Sequence, residues 1–420
     1  SLFGINYFRS LGLDRQVLIL ALGRFVSGMG SGLTMFYAPI YFVNTVGIPA
    51  ASVGVGLGMG GMSGIVGRIA GGSLADHAGC GRKGAVMLAC LTLSLGAFCF
   101  AASNNFIVFL VGNILSGLGI GLYWPAAESM VSDLTGEAKL NEAFGLSRMA
   151  DYSGLGIGVV AGGLVIGTHA AYRLLFLFDA LSYLALLAFV IFGTRETLVL
   201  TASHQRPSLL SNWLTALKDK KLALYALLNL IFTNNVLQMS STLPIYISRL
   251  PGMAVAGSVA VVFSYYIILV SLLILPISRK AASAAKTKAL MLACLAWLSG
   301  QLLTALLPGL CSLLGLGSEQ IMTLLFTMGT VSILAFANAL YSPAASSLVV
   351  ELAPANARAT YLSVNSLCWG LAGTVGPAVG LTIIDKGARP ALLYWFALAL
   401  LNAISIAGLW ALKKLQDKSI

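Results

Sequence analysis

The sequence predicts an all-α polytopic membrane protein with 12 transmembrane helices in two pseudo-symmetric six-helix bundles. Three observations predict it. The 420-residue chain is 58% hydrophobic and only 9% charged, with a mean hydropathy of +0.91, which sets it outside the range of soluble domains. Apolar runs of about 20 residues, the length that crosses a hydrocarbon core, recur along the whole chain. The second half of the chain also repeats landmarks of the first. Backbone groups cannot stay unpaired in lipid, so spanning elements are helices or closed barrels. Runs this long, without two-residue alternation, are helices.

The predicted helices fall at about 16–45, 50–75, 84–102, 106–133, 140–167, 172–193, 221–248, 255–278, 287–308, 319–350, 357–384 and 388–412. Several exceed the minimum, which implies tilt or continuation beyond the membrane. They divide into an N-terminal bundle at 1–193, a cytoplasmic linker at 194–220 and a C-terminal bundle at 221–420. The repeat supports this division. Pro125-Ala126-Ala127 recurs as Pro343-Ala344-Ala345, and Met87-Leu88-Ala89-Cys90-Leu91 recurs letter for letter as Met291-Leu292-Ala293-Cys294-Leu295. Pro39-Ile40-Tyr41 returns as Pro244-Ile245-Tyr246.

The net charge of +11 is a matter of topology and implies no nucleic acid. Lysines and arginines concentrate at one set of alternate loops, including Arg82, Lys83, Lys139, Lys218, Lys220, Lys221, Lys413 and Lys414. The opposite set holds only Arg173, Arg249, Lys386 and Arg389. This positive-inside bias places both termini and the linker in the cytoplasm. The six cysteines form no C-x-x-C pair and read as small apolar residues, and the histidines do not cluster. No metal, no cofactor and no enzymatic activity are expected, and no P-loop supplies ATP drive.

Along the chain, the first helix carries Arg24 about 12 Å from its start at 1.5 Å per residue. A cation inside a spanning helix is expensive and is a functional candidate by default. The second helix is crowded with glycine, from Gly54 to Gly67. Its G-x-G-x-x-G run follows no strand, so close helix packing explains it better than a dinucleotide fold. The fourth helix carries Glu128, about 9 Å from its end, and the fifth carries Arg148 and Asp151, about 12 and 16 Å in. The repeat has Ser346, Ser366 and Trp369 in their places, and Asn229 in the place of Arg24. Buried charge thus belongs to the first half. Tyr152 adjoins Asp151, and the seventh helix offers Asn234, Asn235 and Gln238 as uncharged hydrogen-bonding groups that, with Trp369, should face a central cavity. Asp179, in the sixth helix, reads as a structural hydrogen-bonding group. The linker has the character of a surface amphipathic helix.

The loop after the second helix reads Gly72-Ser-Leu-Ala-Asp76-His77, then Gly81-Arg82-Lys83. It resembles the signature loop between helices 2 and 3 of the major facilitator superfamily, with His77 for the usual basic residue and two extra residues before Gly81. The resemblance covers essentially the whole chain. It implies two bundles rocking around a central site, and a cytoplasmic latch of Gly72, Asp76, Gly81, Arg82, Lys83 and Asp133, in which the aspartate caps a neighbouring helix. Asn113 stands where proton-driven drug exporters of that superfamily carry arginine. Gly154, Gly158, Gly162 and Gly163 resemble the antiporter motif, with Val159 for its proline. Pro125-Ala-x-Glu128 and Gly145-x-x-Arg148-Met149 are similar to the galactoside–proton symporters, whose matching glutamate and arginine bind sugar.

Together these readings predict a monomeric secondary transporter in the cytoplasmic or inner membrane. It would move a small polar or amphipathic organic solute, with protons and membrane lipids as its other partners. A uniport facilitator, and a non-transporting membrane assembly or lipid-handling protein, are the alternatives. Substrate-binding and proton-coupling candidates are Arg24, Glu128, Arg148, Asp151, Tyr152, Asn234, Asn235, Gln238 and Trp369.

Overall fold

The computed structural model describes residues 11–35, 37–165, 169–198, 209–250, 253, 256–281, 285–313 and 320–417. Linker residues 199–208 and the helix end expected at 166–167 lie outside the described residues. The first part of the chain forms α1 (Arg15–Met35), α2 (Ala38–Asn44), α3 (Ala50–Ala75), α4 (Gly81–Ala102), α5 (Phe106–Asp133), α6 (Leu140–Val165), α7 (His169–Gly193) and α8 (Leu209–Lys218). The remainder forms α9 (Lys220–Gln238), α10 (Thr242–Ser248), α11 (Ala256–Lys280), α12 (Lys286–Leu313), α13 (Gln320–Leu352), α14 (Arg358–Asp385) and α15 (Ala388–Asp417).

Among the described residues, 10 helices are long and apolar enough to cross a membrane, or 11 if α9 and α10, bent by 42°, form one broken span. The twelfth helix is α6, which has the length but carries Arg148 and Asp151 in its interior. Two charges on one helix weaken its apolar signal, so the helix least legible by hydropathy is the one with most chemistry. The all-α, twelve-helix architecture is therefore the one the sequence predicts.

By compactness the chain divides into one unit of Ser1–Asp219 with Val349–Gly370, and another of Lys220–Leu348 with Leu371–Ile420. In the first unit α3 packs on α5 and α1 on α6 and α7. Bare backbone makes both crossings close. A methyl group placed on Gly121 of α5 would stand 2.7 Å from the amide nitrogen of Arg68 and 2.8 Å from the carbonyl carbon of Gly67. Gly32 of α1 and Gly158 of α6 meet in the same way, each 3.1 Å from where the other's methyl group would sit. This is small-residue packing, which compensates for the absence of a hydrophobic drive between helices in lipid. Gly54 and Gly58 have open space instead. Gly121→Val should accordingly lower the melting temperature in detergent by an amount equivalent to about 1–3 kcal/mol, the usual cost of overpacking, while Gly58→Val leaves it unchanged. Equal melting of the two variants would show that the crossing is not held by its glycines.

An aromatic cluster closes the end of the first unit away from Asp76. It contains Tyr41, Phe42, Phe100, Phe109 and Phe176, all buried, with Phe42 and Phe176 stacked at 5.7 Å. In the second unit α12 packs on α15 and α9 also meets α15. Their shared interior is polar. Asn235 donates to Asn402 at 2.9 Å, Gln301 donates to Asn235 at 2.8 Å, and Asn402 donates to Gln301 at 2.9 Å. Each amide in this buried ring both donates and accepts, so the ring is satisfied without water.

Candidate functional site

Three helices of the first unit build a cluster of paired charges. Helix α5 places Trp124 and Glu128 one turn apart, and α6 places Arg148 and Asp151 three residues apart, so each pair shares a helix face. Helix α1 supplies Arg24. The Arg24 guanidinium reaches Asp151 at 2.5 Å, and Arg148 reaches Glu128 at 2.6 Å. Both guanidiniums lie on the Trp124 ring, Arg148 at 4.1 Å and Arg24 at 4.9 Å from its centroid, and Arg24 also lies 5.1 Å from Tyr123. Guanidiniums stack on aromatic faces while their edges stay free to donate, so one indole holds two ion pairs side by side.

The side-chain exposures differ in a useful way: Arg24 is 7% exposed and its partner Asp151 21%. Asp151 is thus the more approachable half of its pair. Leu20, Trp124, Glu128, Ser147 and Arg148, with Arg24, line a cleft of about 20 Å³, room for a single water. Nε of Arg24 has no hydrogen-bond partner. The arrangement can exchange partners. A proton or a solute anion that takes one member of a pair leaves the other to bind something new.

A second cluster, also in the first unit, surrounds the end of α3. Asp76 follows the last residue of α3, and its carboxylate accepts from the amide of Thr360 at 2.8 Å, the hydroxyl of Thr360 at 2.7 Å and the amide of Ala359 at 3.3 Å. It thereby caps the start of α14, where free amides and the helix dipole favour an anion. Burial lifts the Asp76 carboxyl above its ordinary value, and the Thr360 hydroxyl and Arg82 pull against that. Because the folded value lies above the unfolded one, this contribution to stability is present at low pH and is lost as pH rises through the folded value. Gly72 allows the approach, since a methyl group there would stand 2.8 Å from the carbonyl of Ala359.

Arg82 forms an ion pair with Asp133 and donates to the carbonyls of Ser129 and Ala355, each at 3.3 Å. Arg358 shares Asp133 at 3.0 Å. Gly81 begins α4 with φ +71°, a left-handed conformation suited to glycine. Lys83 turns away from the aspartates and donates to the carbonyls of Ile191 at 2.9 Å and Thr194 at 2.7 Å, at the end of α7. Glu196 accepts from the amides of Arg82 and Lys83, both at 3.0 Å, and so caps α4.

The remaining candidates divide between the units. Tyr152 and Trp369 belong to the first, and Asn234, Asn235 and Gln238 to the second. Gln238 donates to Asn234 at 2.9 Å, and Gly376 and Gly380 of α14 leave bare backbone beside both amides. Asn235 has its amide in the ring with Asn402 and Gln301. Sequence reasoning passed over Trp124, Glu196, Thr360 and Arg68. An aromatic residue in an apolar helix is ordinary, a capping carboxylate is legible only once its helix is placed, and Arg68 lies inside a helix where a tally of loop charges does not look.

Spanning helices that bury matched charges beside a small cleft define a multi-pass membrane transporter. The chain belongs to the Major Facilitator Superfamily, whose model matches residues 20–333. It is a transporter and not an enzyme. It is 26% identical over 377 residues to the multidrug resistance protein MdtH of Klebsiella pneumoniae, covering 88% of this chain and 87% of that one. The human organic anion transporter MFSD10 superposes with a TM-score of 0.71 at 16% identity, covering 94% of this chain and 99% of its own. The Escherichia coli fucose:proton symporter FucP gives 0.71 at 17% identity, covering 94% and 98%. At such identities the structural matches establish the fold alone.

Proposed function

We propose that this protein is a proton-coupled secondary transporter that moves a small polar or amphipathic organic solute by alternating access. The observation that carries the reading is the pair of ion pairs, Arg24 with Asp151 and Arg148 with Glu128, held on one indole beside a cleft that Arg24, Glu128 and Arg148 line. Asp151, the more exposed partner, takes the proton. Its neutral form releases Arg24 to the solute, so proton and solute compete for one guanidinium. Tyr152 and Trp369 of the same unit supply further polar and aromatic contacts, while Asn235 serves packing within its own unit. Asp76, Arg82 and Asp133 act as the latch of the transport cycle. The charge bias of the loops supports an inner-membrane protein with both termini in the cytoplasm. The similar proteins, a multidrug resistance protein, an organic anion transporter and a fucose:proton symporter, support a small organic solute and favour no single one.

The test uses proteoliposomes loaded with a pH-sensitive dye and exposed to sugars, organic acids and cationic drugs. The expected result is a compound-dependent pH change in the wild type that disappears in Glu128→Gln and Asp151→Asn. Labelled compounds that equilibrate with no pH change would replace the proposal with a uniport facilitator. Silence in both assays would overturn the proposed solute class.

A further inference from the structure

We infer that Arg68 is an anion-binding residue, and that the transported solute carries a carboxylate, sulfonate or phosphate group which this guanidinium engages. The inference rests on the transporter reading and deepens it. Arg68 lies in α3 seven residues before its last residue, Ala75, about 10 Å along the axis at 1.5 Å per residue. The arginines of the first unit's two charged clusters meet carboxylates, as Arg24, Arg82, Arg148 and Arg358 all do, while Arg173 of α7 meets Tyr41 and Asn104 instead. Among the described residues Arg68 has no carboxylate partner, and its buried Nε makes no hydrogen bond. Its backbone is well used, since its carbonyl accepts from Ser363 at 2.5 Å.

The guanidinium lies against backbone that carries no side chain. A methyl group on Gly370 would stand 3.5 Å from Nη1 of Arg68, and one on Gly64 would stand 2.8 Å from it. Two glycines thus leave bare backbone beside an unpaired cation. A cation inside a spanning helix is costly unless an anion or water meets it, and guanidinium suits two-pronged recognition of planar or tetrahedral oxyanions. The face of α3 that looks outward is a different one. Met62, Val66 and Ile69 are 59%, 60% and 44% exposed, whereas Ile65 and Arg68 turn toward Gly370. This separates the guanidinium from the lipid-facing stripe and favours a solute over a lipid headgroup.

The test is equilibrium binding to the purified full-length protein in an uncharged detergent, read by tryptophan fluorescence. The probes are 2-naphthoate, 2-naphthalenesulfonate and neutral 2-naphthamide. At least one anion is expected to bind the wild type at least tenfold more tightly than the amide. Arg68→Gln should remove that preference and Arg68→Lys should keep part of it. Gly370→Asp, which offers an internal carboxylate, should abolish anion binding without unfolding the protein, an outcome a purely structural arginine would not produce. Equal or absent binding of anions and amide by the wild type, or unchanged preference in Arg68→Gln, overturns the inference. So does loss of co-purified anionic lipid in Arg68→Gln with naphthoate binding intact, which reassigns the cation to lipid. Failure here is separable from failure of the transporter reading. Wild-type proteoliposomes that carry any compound uphold transport whatever the binding result, and charge-selective binding without any transport upholds this site alone.

Discussion

Arg24→Ala should destabilise the protein by about 3–5 kcal/mol, the range for breaking a buried ion pair from one side, and Asp151→Ala should do likewise. Each deletion strands a charge that has lost its direct ion-pair partner. Among the described residues Asp151 would keep no arginine within ion-pair distance, and Arg24 would keep Ser27 at 3.4 Å, two aromatic rings and the more distant carboxyl of Asp179. The double variant Arg24→Met with Asp151→Leu is expected to regain most of that stability, because apolar groups of similar volume replace a buried pair at little cost. It should still transport nothing. This separates a structural pair from a working one, and the two readouts are a melting curve in detergent and solute uptake in proteoliposomes. A stable double variant that concentrates solute against a gradient would sink the coupling role of the pair.

Arg82→Gln should be about as damaging, at roughly 3–5 kcal/mol, although the residue sits at a helix start. Arg82 is 1% exposed and joins Asp133 to the carbonyls of Ser129 and Ala355. Glutamine cannot span these acceptors, and Asp133 would retain only Arg358. Arg82→Lys should rescue less than half of the loss, since an ammonium lacks the planar fork that bridges several acceptors. The capping by Glu196 should survive in both variants, because it uses main-chain amides. A melting temperature in Arg82→Gln close to that of the wild type would reduce this cluster to surface pairs of little consequence.

Much of the molecule was legible in the residues. Spanning helices announce themselves by length and hydropathy, because lipid permits few alternatives. Arg24, Glu128, Arg148 and Asp151 stood out as charges in apolar helices whose repeat counterparts are uncharged. Their pairing was not legible. Which arginine meets which carboxylate depends on how α1, α5 and α6 cross, and that depends on where glycines let backbones touch. Asn234 and Asn235 are neighbours of the same type in the same helix, yet successive helical residues point about 100° apart. One amide therefore lies beside Gly376 and the other enters a closed ring with Asn402 and Gln301. No propensity distinguishes them.

What the sequence determined by itself was the class of fold, the number of spanning helices and the residues too polar to be in lipid by accident. Each follows from a local cost, the transfer of one group or one segment into hydrocarbon, which needs no knowledge of neighbours. What only the tertiary structure decided was which of those polar groups are satisfied. Trp124 became a shared platform for two guanidiniums, Glu196 became a cap for α4, and Arg68 met no carboxylate among the described residues. Satisfaction is a property of pairs brought together from distant parts of the chain, so it exists only once the helices have packed.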